Sequence, residues 1–295
     1  MLHRTRTTGG LLLSAALLVT TAGAVAAQSP SAAAPAGSSA PITAPTTVLT
    51  PGTLVDCVDI EYSPMEYFPS ADVTDPAQAI GFDVDAARAV AEKLGMTLQI
   101  NNTAFDALIP DLTAGRCDIV WTGLYVSEKR LAVADAVPYM ATGQVVMVPA
   151  GNPAGIKEPK DLCGKTVSIQ SGGLVEQRIN ELSTQCTTDG AAAINIQAYP
   201  KVADELQQII PPARVDAVWE TDSSVSDWMI RNPDQYEVAY ALPKDDNYGV
   251  YYTKGNTELG DALTAAIAAL KADGTLAAIA AKYQIDPATL DVVQK

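Results

Sequence analysis

The side chains best equipped for chemistry gather around a few short stretches. Arg130 carries a planar fork of donors suited to two-point binding of a carboxylate, and just ahead of it Thr122, Gly123 and Leu124 offer a hydroxyl and backbone N–H groups for the same acid. Asp59 can accept a hydrogen bond from a polar ligand end, and Tyr62 and Phe105 offer aromatic faces. Further along, Gln170-Ser171-Gly172-Gly173-Leu174 forms a glycine turn before a helix, where backbone N–H groups point outward, and Glu220 and Asp222 flank Thr221. Each has a plainer role too: a surface ion pair for Arg130, core packing for the aromatics, a simple turn for the glycines, a strand end for Asp59. The chemistry offered is non-covalent capture of a small acid. The only histidine is His3, so once a leader is removed neither a Ser-His-Asp or Cys-His catalytic arrangement nor a His-rich zinc site can be built.

These residues need elements to hold them. Gly81 to Leu94 opens Gly-Phe-Asp-Val-Asp and continues with Val84, Ala87, Ala91 and Leu94 at spacings of three and four, a helix with one buried face. Asp106 can cap a short helix that buries Leu108, Ile109 and Leu112, with Pro110 near its first turn and Gly115 as its stop. Cys117 to Trp121 reads as a buried strand that delivers Thr122 to Leu124 and then Arg130 to the edge where open α/β sheets bind ligands. Later strands are expected at Thr166–Ile169, Ile194–Ala198, Val215–Trp219, Tyr236–Ala241 and Gly249–Thr253. Helices are expected at Leu174–Leu182, Glu258–Ala272 and Thr275–Tyr283, the last two split by Gly274. The alternation makes an α/β protein.

Arg4 and Arg6 precede an apolar run from Leu11 to Ala27 that ends in small residues, the form of a secretory signal peptide (residues 1–27) cleaved near Ala27. No cysteine follows until Cys57, so no lipid anchor is expected and the mature chain should be free in the periplasm or outside the cell. Residues 28–52, rich in Ala, Pro, Ser and Thr and without charge, read as a disordered linker. Losing Arg4 and Arg6 from the 19 basic residues leaves 17 against 34 acidic ones. With no Lys/Arg cluster, that balance excludes nucleic acid as a partner.

Seven stretches in fixed order extend the pattern: Asp59-Ile60-Glu61-Tyr62-Ser63-Pro64, Gly81 to Asp85, Phe105 to Pro110, Ser127-Glu128-Lys129-Arg130, Val137-Pro138-Tyr139, Gly164 to Val167 and Ala272 to Leu276. From about Leu54 to Tyr283 the chain resembles the bacterial extracellular solute-binding proteins of family 3, the amino-acid receptors of ABC importers. The resemblance implies a two-lobed, type II periplasmic-binding-protein-like α/β fold, each lobe a mostly parallel sheet flanked by helices, joined by a two-strand hinge. Lobe I would comprise residues 53–147 plus 248–295, and lobe II residues 148–247. It further implies that Arg130 grips a ligand carboxylate, that Tyr62 and Phe105 sandwich the ligand, that no cofactor is needed, and that the partner is a membrane ABC permease served by a monomer.

Departures fall mainly in lobe II. Where the family presents Thr or Ser in a glycine turn and an Asp at a later strand end for the ligand ammonium, this chain aligns Leu174 and Thr221, and the usual Ser of the arginine motif is Tyr125. An α-amine would lose its partner unless Glu220 or Asp222 substitutes, so the expected ligand is an amino acid, a derivative, or an organic acid without the amine. Rival readings are a dehydratase-like enzyme using Asp59, Glu220 or Asp222 as general acid, and a ligand-sensing domain. Four cysteines in an exported chain point to disulfides. Three pairings are open. Cys57 with Cys117 and Cys163 with Cys186 are preferred, because a bond between lobes would block their closure.

Overall fold

A computed structural model describes residues 42–294. The expected signal peptide, and the linker as far as residue 41, lie outside the described residues. The rest of the expected linker is not loose. Ile42 and Val48 pack on the core, the Thr46 and Thr47 hydroxyls engage Glu258 and Asn256, and Leu49 N–H donates to Asp118 at 2.7 Å. Apolar side chains scattered among the Pro and Thr residues give this stretch something to bury, and the folded body therefore starts before Thr53.

Two five-stranded sheets follow. The first has the order β2 (Thr97–Asn102), β1 (Thr53–Val58), β3 (Ile119–Val120), β10 (Asp246–Thr253), β4 (Ala134–Thr142). The second has β7 (Asn195–Tyr199), β6 (Thr166–Gln170), β8 (Ala217–Thr221), β5 (Gln144–Pro149), β9 (Tyr236–Ala241). Both are mixed. In each, four strands share one direction, and a single reversed strand is inserted next to the edge: β10 between β3 and β4, β5 between β8 and β9. The reversed strands are those by which the chain enters the other sheet. The crossings fall at Gly143 and at residues 242–245, so Gln144–Met147 pair in the second sheet and Asp246–Asn247 in the first. The expected division at 147/148 and 247/248 put both crossings a few residues late, inside β5 and β10, because each crossing runs directly into the strand that follows it.

Helices cover the sheets. Helix α1 (Phe82–Lys93) starts one residue after Gly81, whose φ is +133° and where an added Cβ would meet Met65 O at 2.1 Å, so only glycine fits. Asp83 and Asp85 in its first turn suit the positive end of the helix dipole. Helix α2 (Leu108–Thr113) extends a short 3₁₀ turn; Asp106 lies inside that turn and makes no side-chain cap. Beyond the short α3 (Glu128–Leu131), lobe II carries α4 (Leu174–Thr188), α5 (Val202–Leu206) and α6 (Asp222–Arg231). The chain ends with α7 (Thr257–Ala272) and α8 (Thr275–Lys282), parted by Gly274 at φ +84°. Cys57 pairs with Cys117 and Cys163 with Cys186, each within one lobe. Arg178 of α4 grips Asp246 at the start of β10 with two hydrogen bonds of 2.7 and 3.2 Å.

Candidate ligand site

Strands β1, β3, β6 and β8 bring their C-terminal ends to one place, and the loops beyond them close around a narrow inner cavity. The first lobe contributes Asp59, Tyr62, Glu66, Phe105, Thr122 and Gly123; the second contributes Gln170, Gly173, Leu174, Glu220 and Thr221. Such a position, outside the carboxyl ends of strands, is where open α/β sheets hold ligands.

Tyr62 spans this cavity. Its hydroxyl is hydrogen-bonded to Thr221 Oγ1 and lies 2.8 Å from the Tyr248 hydroxyl, which in turn lies 3.1 Å from Ser223 Oγ. Thr221 also caps α6, accepting from Ser224 N–H. The ring of Tyr62 rests on Gly123, at φ +52°, where a Cβ would come within 2.6 Å of ring carbon Cε1. Gly123 is fixed from its other side by Asp83, whose buried carboxylate accepts from Gly123 N–H, from Trp121 Nε1 at 3.2 Å and from the Tyr139 hydroxyl at 2.6 Å.

Carboxyls dominate the inner walls. Burial, aided by the charge of Glu61, pushes the Asp59 carboxyl up to about 7, against the opposing pull of Lys201. Burial also pushes Glu220 up to about 7, although Thr221 N–H donates to it at 2.8 Å. Glu66 is held well above the usual carboxylate range by burial and by the neighbouring Asp83, while its Oε1 accepts from Thr122 Oγ1 at 2.7 Å. A hollow beside the cavity shares Asp59 and Phe105 with it and is bridged by an ion pair between Glu61 of the first lobe and Lys201 of the second.

Arg130 lies in a wider outer hollow rather than in the inner cavity. Phe105, Gly173 and Leu174 line both spaces; Leu124, Gly172 and Arg130 line the outer one alone. The guanidinium sits 5.8 Å from the centre of the Phe105 ring, and its Nη1 donates to Tyr125 O at 3.1 Å. Burial lowers its pKa, with Tyr251 opposing. The expected joint grip on one acid group is therefore not assembled as drawn from the sequence. Thr122 Oγ1 is engaged by Glu66 and by Asp59 N–H (3.0 Å), and Gly123 N–H by Asp83, because buried carboxyls need donors. The Gly172 N–H is likewise taken by Glu176 Oε2 at 2.6 Å. Of the two acids beside Thr221, Glu220 faces the cavity, whereas Asp222 turns to Lys244 and to Thr142 Oγ1 at 3.0 Å. Sequence reasoning missed Glu66 and Val175, named Gln170 only as part of a turn, and treated Tyr125 only as a departure. The acid of Tyr62-Ser-Pro-Met-Glu66, set among apolar neighbours, was the available signal for the first.

The sequence pattern of the bacterial extracellular solute-binding proteins, family 3, matches residues 54–286. Among similar proteins, the putative ABC transporter arginine-binding protein 2 of Escherichia coli K12 is 28% identical over 211 residues, 70% of this chain and 82% of its own. The L-cystine-binding protein TcyJ of the same strain is 26% identical over 233 residues, 79% of this chain and 82% of its own. An ancestral arginine-binding protein bound to arginine superposes with a TM-score of 0.70 at 28% identity, over 79% of this chain and 98% of that one. The arginine-bound binding protein AbpA of Streptococcus pneumoniae gives 0.70 at 25% identity, over 79% and 94%.

Proposed function

From the premise that this chain belongs to the bacterial extracellular solute-binding proteins of family 3, we propose that it captures an amino acid or related small carboxylate between its two lobes and presents it to a membrane ABC permease. The architecture is the two-lobed type II arrangement of periplasmic binding proteins. The observation that carries the reading is the convergence of four strand ends on one cleft, with Phe105 common to an acid-lined inner cavity and an outer hollow holding Arg130. In this reading the ligand carboxylate meets Arg130, its body lies against Phe105 and Tyr62, and its polar end meets the inner carboxyls. Lobe closure then excludes water, and the closed form is what the permease distinguishes. Export follows cleavage near Ala27, and the mature chain works as a monomer without cofactor. The raised carboxyls of Asp59 and Glu220 act as ligand acceptors rather than as general acids, in keeping with relatives that bear the names of binding proteins.

A thermal-shift screen of the mature protein with amino acids, their derivatives and small organic acids tests this. A ligand at 100 times its Kd stabilises the native state by about 2.7 kcal/mol, and at least one carboxylate-bearing compound should do so, with micromolar affinity or about −8 kcal/mol. Arg130→Ala should weaken that compound about 100-fold, the loss of a charge-assisted pair, while the unliganded melting point stays nearly constant. A ligand response unchanged in the variant would remove Arg130 from the site.

A further inference from the structure

Among the described residues, side-chain bonds join the lobes at the hinge, at the rim of the cleft and inside the inner cavity. At the hinge, Arg178 holds Asp246, and Thr142 Oγ1 donates to Asp222. These bonds lie beside the crossings at Gly143 and 242–245 and can survive a rotation about them. At the rim, Lys201 pairs with Glu61. Inside, the Tyr62 hydroxyl is hydrogen-bonded to Thr221 Oγ1, and behind it the Tyr248 hydroxyl lies 3.1 Å from Ser223 Oγ. Rim and inner bonds span the cleft, so they break when the lobes part.

The inner bond is prepared by the first lobe. A tight turn pins the Tyr62 backbone: its N–H donates to Glu66 O at 2.7 Å, and its carbonyl accepts from Met65 N–H and Glu66 N–H at 2.8 and 2.9 Å. The ring rests on Gly123 and the hydroxyl is held 2.8 Å from that of Tyr248, which aims it at the second lobe. On the far wall nothing is stranded when it withdraws. Thr221 Oγ1 keeps Ser223 Oγ at 3.3 Å and Ser224 N–H at 3.4 Å, and Tyr248 keeps Ser223. Release therefore costs only the bonds broken and leaves no hydroxyl of that wall without a partner. Tyr62 and Thr221 line opposite walls of a narrow cavity, and a hydroxyl bridge between them shuts out a solute lying across it.

The geometry points to a latch: the Tyr62 hydroxyl, steadied by Tyr248, closes the lobes on themselves by bonding Thr221, and a solute reaches the inner wall only after that bond breaks. The proposal rests on the receptor reading above and adds to it a competitor built into the protein. Closure by the latch and closure on a solute are alternatives, so the latch lowers the affinity for every solute by one shared factor. The ring of Tyr62 is a wall of the site in both forms. The hydroxyl alone is the latch.

Tyr62→Phe keeps the ring and removes the hydroxyl. Small-angle X-ray scattering of the mature protein without added solute, in ~0.5 M salt to screen the half-exposed rim pair, reads the closure. The variant should have a radius of gyration about 1 Å above that of the wild type, for which about 18 Å is expected of a compact chain. Titration calorimetry with L-arginine, L-histidine and glutarate reads the competition. Each probe that binds the wild type should bind Tyr62→Phe about tenfold more tightly, by the same factor for each, the worth of one or two net hydrogen bonds. Tyr248→Phe should act in the same direction by about threefold, although Tyr248 lies outside the lining of the inner cavity and cannot touch a solute there. A radius no larger than the wild type's, or an affinity in Tyr62→Phe that is unchanged or weaker, overturns the latch; a probe that binds then leaves the receptor reading intact. If neither these probes nor the thermal-shift screen yields a ligand, the receptor reading falls and the radius alone decides the latch. Should Tyr62→Phe fail to fold, Tyr248→Phe decides by the same two readouts.

Discussion

Gly123 has no space for a methyl group, since its φ of +52° disfavours any L side chain and an added Cβ would press on the Tyr62 ring. Gly123→Ala should cost about 2 kcal/mol from the left-handed backbone alone, roughly 4–8 °C in melting temperature for a chain of this size. It should also weaken ligand about tenfold, because the ring it displaces lines the cavity; differential scanning calorimetry and a binding titration check the two effects. Normal affinity in the variant would mean that Tyr62 does not shape the site. At this scale the sequence was partly legible. Tyr62, Phe105 and Thr122 stand around the inner cavity as their motifs suggested, and Asp59 with them. What could not be read was how donors are shared. Asp83 looked like a helix-start residue, yet it binds Trp121 and Tyr139, 38 and 56 residues away. Glu66 takes the Thr122 hydroxyl from 56 residues away. Such long-range partners, which decide whether Thr122 and Gly123 are free for a ligand, leave no local spacing to read.

Among the elements, legibility was uneven: β6, β7 and β9 lie within a residue of their expected bounds, while α4 runs six residues beyond the expected Leu182. The 3.6-residue period fixed α1 to within a residue, and α7 also lies within a residue of its expected bounds, whereas β3 contracts from the expected Cys117–Trp121 to two paired residues. The shortening has a cause: Asp118 turns its carboxylate to Val55 N–H and Leu49 N–H, and Trp121 N–H donates to Asp56, so side chains replace ladder bonds at both ends. Pro138 conceals β4, and is tolerated there because β4 is an edge strand and faces the bulge at Tyr248/Gly249. The Cys163–Cys186 link fastens the turn before β6 to the end of α4, closing a loop of 23 residues' separation. Replacing both cysteines by serine should cost about 3 kcal/mol, roughly 6–12 °C, with ligand affinity nearly unchanged because neither cysteine borders the cavity. A large loss of affinity in the folded variant would mean that the orientation of α4, and with it Gly173 and Leu174, depends on the crosslink.

For the whole molecule, the buried carboxyls set how stability responds to pH. Asp59, Asp83 and Glu220 are each pushed by burial from the ordinary carboxylate range up to about 7, and Asp56, Glu66 and Glu205 are held well above that range for the same reason. In the unfolded chain all six ionise near pH 4. Between pH 4 and 7 the native state therefore holds more protons than the unfolded state, and stability falls with rising pH across that window. Their stabilising contribution is complete below the unfolded pKa and is lost as pH climbs through about 7. Carboxylates with strong partners act oppositely: Asp273, lowered to about 2 chiefly by its bond from Thr275, favours the native state above pH 4, but it is fully exposed and offsets little. The melting temperature of the unliganded protein should accordingly be highest near pH 4 and drop by several degrees by pH 8. Scanning calorimetry from pH 4 to 9 makes the measurement. A melting temperature that rises steadily toward pH 8 would show that these carboxyls are hydrated and charged in the native protein, and that the cleft is wetter and more open than the Tyr62–Thr221 contact implies.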